Sequence, residues 1–127
     1  MQKSRIPTMI EELAKKCLEL PQPIHVIAVC SGGRTVGSHI YKYFTRHNVK
    51  ANYFEAWIDI KDGKGLVRST DFEKEDYIGT VLIAEDVIWS GTAVTAVRKM
   101  LSKIKRKKTY LAVLLDMNKK ADFSIFS

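Results

Sequence analysis

Residues 81–94 read VLIAEDVIWSGTAV, and this stretch decides which fold the whole chain is expected to adopt. Its run of apolar, partly β-branched residues indicates a strand that is buried on both faces of a parallel sheet. Two acids, Glu85 and Asp86, interrupt the run near its end, and Ser90 and Gly91 then break it. The stretch therefore predicts a strand, a turn and a helix in direct succession.

The same alternation of strands and helices is predicted along the rest of the chain. Apolar runs predict strands at residues 24–30, 51–60, 80–88 and 109–115. Periodic apolar residues predict helices over residues 7–20, from about 35 to 46 and from about 91 to 105. KDGKG at 61–65 predicts a turn, LVRST then returns as a hairpin partner, and EKED at 73–76 is expected to be loop. This order is typical of an α/β fold with a mostly parallel sheet flanked by helices, here as one domain over residues 1–127.

The composition is that of a soluble globular protein. Of the 127 residues, 46% are hydrophobic and 28% are charged, so a core can form without a disulfide or a structural metal. No apolar stretch is long enough to cross a bilayer, and the N-terminus lacks the apolar core of a secretion signal, so no membrane partner is expected. The two cysteines, Cys17 and Cys30, follow no metal-ligand spacing and favour a reducing, cytoplasmic location.

The formal net charge of +7 fits an anionic ligand. Part of this charge is the block KIKRKK at residues 103–108. We interpret the block as a solvated helix end, where cations suit the negative end of the helix dipole. Attraction of a polyanionic small molecule or of nucleic acid is the alternative, and nucleic acid stays open as a partner without being favoured.

Two glycine-bearing turns follow predicted strands and open predicted helices. The first contains Ser31, Gly32, Gly33 and Arg34. The second contains Trp89, Ser90, Gly91, Thr92 and Ala93. Ligands of open α/β sheets lie beyond the carboxyl ends of the strands, and a helix N-terminus offers unpaired N–H groups to an anion. Each turn is therefore a candidate phosphate site, with plain helix capping as the alternative.

Glu85 and Asp86 lie between these turns in the sequence. Side chains alternate along a strand, so the two acids are expected to point to opposite faces, and only one to reach any given face. One interpretation is that the strand has already ended and both carboxylates are solvated or capping. The other is that they hold sugar hydroxyls or a divalent cation, because hard cations prefer oxygen ligands. An anion site beside two carboxylates fits a phosphorylated sugar better than it fits an inorganic anion.

VLIAEDVIWSGTAV resembles the signature of the type I phosphoribosyltransferases, and YLAVLLDMNKKADF is similar to a later segment of their hypoxanthine and xanthine members. The resemblance implies a type I phosphoribosyltransferase-like fold that binds 5-phosphoribosyl 1-diphosphate (PRPP) with Mg²⁺, the metal being held mainly through PRPP. It implies that Glu85 and Asp86 contact the ribose as the catalytic pair, and that residues 89–93 wrap the 5′-phosphate. VCSGGRTVG is similar to the diphosphate-binding loop, which places residues 31–34 on the diphosphate.

The activity implied by the resemblance is Mg²⁺-dependent transfer of a phosphoribosyl group from PRPP to a nucleobase, with a purine favoured and diphosphate released. A homodimer is the expected assembly. A non-catalytic PRPP-binding regulator or a nucleic-acid-binding protein on the same fold is the alternative, and a protein that binds another phosphosugar is a third hypothesis.

Several positions depart from the family pattern. Ala93 replaces a second hydroxyl residue of the phosphate loop. Trp89 and Met117 stand where hypoxanthine members have an Asp and a Lys that act on the base. Lys61, Lys64 and Arg68 lie in the region of the family's flexible loop and could approach the diphosphate when that loop closes. The hood that covers the base in this family is expected to be reduced, with residues 121–127, the N-terminal helix or a second subunit as its sources. Complete absence of the hood is the alternative.

Overall fold

The computed structural model describes residues 5–73, 79–103 and 108–126. Its strands are β1 (Ile24–Cys30), β2 (Ala51–Lys61), β3 (Lys64–Thr70), β4 (Thr80–Ile88), β5 (Lys108–Asp116) and β6 (Phe123–Phe126). Its helices are α1 (Ile6–Lys16), α2 (Arg34–Arg46) and α3 (Thr92–Leu101). None of the described helices is long and apolar enough to cross a membrane.

The six strands form one sheet in the order β3-β2-β1-β4-β5-β6. Every neighbouring pair is parallel except β2 and β3, which are antiparallel. The predicted α/β fold with a mostly parallel sheet is therefore confirmed. Because β1 and β4 are parallel neighbours in the middle of the sheet, their carboxyl ends lie next to each other on the same side of the molecule.

Helices cover both faces of the sheet, which explains why β1 and β4 are nearly continuous apolar runs. Val26, Leu82 and Ala84 pack in one core cluster with residues of α1 and α2. Ile27 and Ile83, one position away in each strand, pack in the other cluster with residues of α3. The alternation of side chains along each strand thus serves two cores at once.

The hairpin predicted after β2 is confirmed, with Asp62 and Gly63 at its turn. Their φ angles of +54° and +74° are those of a type I′ turn, for which Asp-Gly is a preferred pair. The hairpin packs against the start of α3, since a β-carbon added to Gly65 would lie 2.9 Å from the carbonyl oxygen of Thr92. The turn therefore lies close to the loop that precedes α3.

Some predicted boundaries were wrong. Helix α1 ends at Lys16 rather than near residue 20, because the N–H groups of Cys17 and Leu18 bond to carbonyls three residues back and tighten the last turn. Strand β6 was not predicted, since it has only four residues at the sheet edge. Helix α3 is described to Leu101, and its predicted extension falls partly on residues 104–107, which lie outside the described residues, as do residues 74–76 of the predicted loop.

Candidate active site

The two predicted turns lie side by side at the carboxyl ends of the two central strands, β1 and β4. The first follows β1 and opens α2, and the second follows β4 and opens α3. Because β1 and β4 are paired in parallel, the register of the sheet brings the turns together with the acids at the end of β4. Such a crevice beyond the strand ends is where open α/β sheets bind ligands.

Gly33 fixes the first turn against the sheet. Its N–H donates to the carbonyl of Val29 over 2.7 Å, and the residue caps the N-terminus of α2. A β-carbon added there would lie only 2.4 Å from the carbonyl oxygen of Ala84. The peptide bond between Cys30 and Ser31 is cis. Only glycine allows this close approach of the turn to β4.

Glu85 and Asp86 converge on the first turn, so the prediction that only one could reach a given face was wrong. The position of a β-carbon on Gly32 lies 3.0 Å from Asp86 Oδ1 and 3.2 Å from Glu85 Oε1. The Asp86 N–H donates to Glu85 Oε1 over 3.0 Å, and the Val87 N–H donates to Asp86 Oδ1 over 2.8 Å. These bonds turn both half-buried carboxylates back along the strand end, which strand alternation alone does not predict.

The carboxyl pair holds a proton more tightly than an exposed acid would. Burial raises the pKa of Glu85 to about 8, the hydrogen bond and the negative charge of Asp86 add to the rise, and the Asp86 N–H opposes it. At neutral pH the Glu85 carboxyl is therefore mostly protonated. A ligand that donates hydroxyl hydrogens to this carboxyl, or places a cation there, would displace the proton.

The second turn presents hydroxyls and a helix N-terminus. Gly91 caps α3 with a φ angle of +78°, a conformation that glycine adopts without strain. The hydroxyl oxygens of Ser90 and Thr92 lie 2.8 Å apart. A cavity of about 140 Å³ is lined by this turn and by Glu85. Ala93, at the missing hydroxyl position, packs instead against the core cluster of α3.

The segment after β5 braces the second turn, and this role was not predicted. Buried Asp116 accepts the N–H groups of Asn118, Lys120 and Ala121 over 3.3, 3.0 and 2.8 Å. Burial tends to raise the pKa of Asp116, but these backbone donors outweigh it and hold the pKa below its usual value. Lys120 Nζ donates to the Ser90 carbonyl over 3.2 Å, and the Asn118 amide donates to the Trp89 carbonyl.

Two apolar side chains are open to solvent at the ends of β4 and β5. Trp89 is 64% exposed and Met117 is 45% exposed. Their backbones lie close together, since the Met117 N–H donates to the Ile88 carbonyl over 3.1 Å. An aromatic ring and a thioether are therefore exposed together beside the second turn.

The predicted cations differ in their placement. Lys64 lines a cavity of about 320 Å³ together with Ser90 and Thr92. Arg68 pairs instead with Asp59 at 3.7 Å and lies over the ring of Trp57. Lys61 is exposed at the end of β2. Lys64 is thus brought to the second turn, whereas Arg68 is held on the hairpin.

The surroundings of three further side chains limit their roles. His25 is buried and packs against the aromatic rings of Phe54 and Phe72. Burial raises the pKa of the Cys30 thiol to about 11, and the charge of Glu55 adds to it, so this thiol is a filler rather than a nucleophile. Trp57 is half-buried on β2.

Part of a cover over the site comes from the chain ends that are described. Ile6 at the start of α1 and Phe126 at the end of β6 line an apolar cavity of about 370 Å³ that also reaches Gly32 and Asp86. Both segments expected to supply a reduced hood therefore contribute a side chain to a cavity that reaches Asp86.

No group of three or more His, Cys, Asp or Glu side chains is placed to hold a metal ion within residues 5–73, 79–103 and 108–126. The two converging carboxylates still suit Mg²⁺, which is commonly held by one or two carboxylates together with substrate oxygens. The donor set present therefore fits a metal that arrives with its ligand.

Comparisons with known proteins agree with this geometry. No protein-family model and no curated protein matches the chain. Solved structures do match: a purine phosphoribosyltransferase from Pyrococcus horikoshii has 18% identity and a TM-score of 0.82, covering 99% of this chain and 84% of that one. A hypoxanthine phosphoribosyltransferase variant from Trypanosoma cruzi, complexed with the product IMP, has 20% identity and a TM-score of 0.77 over 97% of this chain and 72% of that one. A hypoxanthine phosphoribosyltransferase from Staphylococcus aureus has 16% identity and a TM-score of 0.72, covering 97% of this chain and 73% of that one. The chain thus has the fold of the purine and hypoxanthine phosphoribosyltransferases.

Proposed function

We propose that this chain is a phosphoribosyltransferase that transfers the phosphoribosyl group of PRPP to a nucleobase, with a purine favoured, and releases diphosphate. The observation that supports this most is the convergence of two glycine turns and two carboxylates at one edge of the sheet. Asp86 Oδ1 and Glu85 Oε1 lie within 3.2 Å of the position of a β-carbon on Gly32, and the second turn shares a cavity with Glu85. The fold shared with phosphoribosyltransferases supports the same activity.

The second turn would bind the 5′-phosphate of PRPP. The N-terminus of α3 offers backbone N–H groups and the positive end of a helix dipole. The hydroxyls of Ser90 and Thr92 add donors, and Lys64 adds a nearby positive charge. These groups compensate for the donor that Ala93 lacks.

Glu85 and Asp86 would accept hydrogen bonds from the ribose hydroxyls. Asp86 is already fixed by the Val87 N–H, and Glu85 by the Asp86 N–H, so both carboxyls are ordered before the sugar arrives. Ordering of this kind lowers the entropic cost of reaching the transition state. As Glu85 loses its proton, the pair also favours the positive charge that develops on the ribose.

The first turn would bind the diphosphate and stabilise the charge that it gains on leaving. In the reaction, the bond from ribose C1 to the diphosphate oxygen breaks as the bond from C1 to the base nitrogen forms. The bond electrons go to diphosphate, and the base nitrogen loses its proton to solvent or to a nearby base. The backbone N–H groups of Ser31 and Gly32 and the side chain of Arg34 would face this developing negative charge. The N–H groups of Gly33 and Arg34 already donate to the carbonyls of Val29 and Ser31, so they hold the turn in shape instead.

Mg²⁺ is the cofactor that we propose, held mainly through PRPP oxygens. Glu85 and Asp86 would supply any protein oxygens that it takes. When bound, the metal neutralises diphosphate charge and so makes diphosphate a better leaving group.

A non-catalytic PRPP-binding regulator is the second candidate, and the rim of the site favours it to some degree. Trp89 and Met117 are apolar and exposed where polar groups would act on a purine. Trp89 can still stack on a base, so the substitution weakens one way of moving the base proton without removing a base site. Turnover distinguishes the two candidates, because a regulator binds PRPP and leaves it intact.

The assembly and the compartment also belong to this proposal. We propose a homodimer in which the second copy adds to the cover that Ile6 and Phe126 begin. We propose a reducing, cytoplasmic location, since both cysteines are buried free thiols. The joining of all the described strands in one sheet is consistent with the single domain that we propose for residues 1–127.

Release of diphosphate from PRPP tests the proposed activity. The protein is incubated with PRPP, Mg²⁺ and each of a panel of purines and pyrimidines, and diphosphate is measured against a no-base control. We expect base-dependent release with at least one purine. PRPP binding without turnover on any base would support the regulator instead. Equal competition by ribose 5-phosphate for the site, with no preference for PRPP, would support a protein for another phosphosugar.

A further inference from the structure

Glu55 on β2 gathers three side-chain donors onto one carboxylate. Its Oε2 accepts a hydrogen bond from the hydroxyl of Tyr53 over 2.7 Å and another from Nε–H of Arg34 over 2.9 Å. Its Oε1 accepts the indole N–H of Trp57 over 3.3 Å. Tyr53, Glu55 and Trp57 are alternate residues of one strand, so all three lie on the same face of the sheet. The carboxylate is thus the centre of a network beside the first turn.

The backbone of Glu55 is held as firmly as its side chain. Its N–H donates to Asp71 Oδ1 over 2.9 Å, and its carbonyl accepts the hydroxyl of Thr70 over 2.8 Å. The hydrogen bond from Tyr53 lowers the pKa of Glu55, burial opposes this, and the charge of Arg34 lowers the pKa further. The carboxylate therefore stays ionised near neutral pH in a fixed position.

Arg34 is the more exposed partner of this pair. Its side chain is 62% exposed, whereas that of Glu55 is 24% exposed. Arg34 is the first residue of α2, directly after the turn formed by residues 31–33. The bond to Glu55 uses Nε, so the two Nη groups of the guanidinium remain available to an anion at the turn. A guanidinium held in one orientation loses less rotamer freedom when it binds an anion than a free one does.

We propose that Glu55 is a positioning residue that holds Arg34 in place for the diphosphate group of PRPP. This inference rests on the function proposed above, in which the first turn binds diphosphate. Glu55 does not touch the ligand, and its effect is transmitted through Arg34.

Positioning and simple charge repulsion predict opposite results. The negative charge of Glu55 by itself repels diphosphate, so its removal would tighten binding if charge alone mattered. If Glu55 acts by ordering Arg34, its removal weakens binding despite the gain in positive charge. In Glu55→Gln only one acceptor oxygen remains, so Arg34, Tyr53 and Trp57 cannot all keep their bonds, and Arg34 loses its charged partner. In Glu55→Asp the charge remains, but the side chain is one methylene too short.

A double-mutant cycle with inorganic diphosphate and with PRPP, each with Mg²⁺, tests the proposal by calorimetry. We expect Glu55→Gln to weaken binding about fivefold in the wild-type background and to change it less than twofold in an Arg34→Ala background. We expect Glu55→Asp to weaken binding in the same direction. A purely structural role would lower affinity in both backgrounds. Glu11→Gln, which removes the same charge from the exposed Arg46–Glu11 pair at 3.3 Å, is the matched control and should change affinity less than twofold.

The outcomes separate this inference from the proposed function. Unchanged or tighter binding by both Glu55 variants, with Arg34→Ala still weakening it, would overturn the positioning role alone. Equal weakening by Glu55→Gln with and without Arg34 would also overturn it. A wild-type protein that binds neither PRPP nor diphosphate would overturn the proposed function itself. Circular dichroism of each variant checks that the fold is retained, and Glu55→Asp decides the question if Glu55→Gln does not fold.

Discussion

Replacement of Glu85 by Gln should stabilise the protein at alkaline pH and leave its stability nearly unchanged at acidic pH. The amide oxygen of Gln can still accept the Asp86 N–H, and its NH₂ group can donate to the Asp86 carboxylate where the shared proton now lies. The substitution keeps the shape of the side chain and removes its charge. It therefore isolates the cost of ionising a carboxyl group that is buried beside a second acid.

The direction of this change in stability follows from the raised pKa of Glu85. Glu85 has a pKa of about 8 in the folded protein against 4.5 for an ordinary glutamate, so the folded state binds this proton more tightly than the unfolded state. The stability that the proton provides is fully present below the unfolded value. It is lost as the pH rises from the unfolded value through the folded one. Gln carries no such proton, so its curve lacks this decline.

The size of the stability change follows from the gap between the folded and unfolded pKa values of Glu85. One pKa unit corresponds to about 1.4 kcal/mol, so the full gap sets an upper limit of about 5 kcal/mol. The carboxyl is only partly buried and the site can relax, so we expect Glu85→Gln to raise the free energy of unfolding by about 2–4 kcal/mol at about pH 9. At about pH 5 the difference should stay within about 1 kcal/mol.

Urea unfolding followed by circular dichroism, with linear extrapolation at about pH 5, 7 and 9, measures this difference. The exposed Glu19 provides the matched control, since Glu19→Gln removes one carboxyl group without touching the pair. Its free energy of unfolding should follow that of the wild type at each pH. If Glu85→Gln also followed the wild type within about 0.5 kcal/mol throughout, the raised pKa and the tight convergence of the two acids would both be wrong.

Three further substitutions test separate parts of the structure. Asp86→Asn should weaken PRPP binding at least tenfold, as measured by calorimetry. Its free energy of unfolding in urea should change by less than about 1 kcal/mol, because the new amide oxygen can still accept the Val87 N–H. A variant that unfolds would show instead that Asp86 is structural. Gly33→Ala should lower the free energy of unfolding by about 2–4 kcal/mol, since the added β-carbon would lie 2.4 Å from the Ala84 carbonyl oxygen. Gly63→Ala is the control: Gly63 has open space around it but a positive φ, so the substitution should cost about 1 kcal/mol. Similar losses in the two variants would contradict the close approach of Gly33 to β4. Asp116→Asn should cost about 2–3 kcal/mol at neutral pH by placing NH₂ against backbone donors. Because the pKa of Asp116 is lowered by folding, the stability that its carboxylate provides is lost as the pH falls, so this difference should shrink towards about pH 3; a constant difference would rule out the ionised carboxylate as its source.

The sheet could be predicted from the sequence because its central strands are unambiguous. Residues 24–30 and 80–88 are apolar on both faces, and such short runs are typical of parallel strands that helices cover on both sides. The Asp-Gly turn of the hairpin is equally specific. The end of α1 and strand β6 depend on local hydrogen bonding and edge pairing, which leave little trace in hydrophobic periodicity.

The candidate site was predicted in outline and missed in detail. The two turns and the two acids follow from local sequence, because each comes directly after a buried strand. The meeting of both carboxylates at Gly32 depends on how the backbone N–H groups at the end of β4 turn the side chains. Alternation along a strand does not contain that information.

The supporting residues could not be predicted, because their roles arise from pairing between distant segments. Glu55 reaches Arg34 only because β2 pairs with β1 in a register that places Trp57 opposite Cys30. Asp116 braces the second turn only because the chain after β5 folds back beneath it. The alternation of Tyr53, Glu55 and Trp57 was the one local signal that three polar groups share a face.

A crystal structure with PRPP and Mg²⁺ bound tests the central claim most directly. We expect ribose density against Glu85 and Asp86, the 5′-phosphate at residues 90–92 and the diphosphate at residues 31–34. Well-defined PRPP density elsewhere on the protein, with this crevice empty, would contradict the claim.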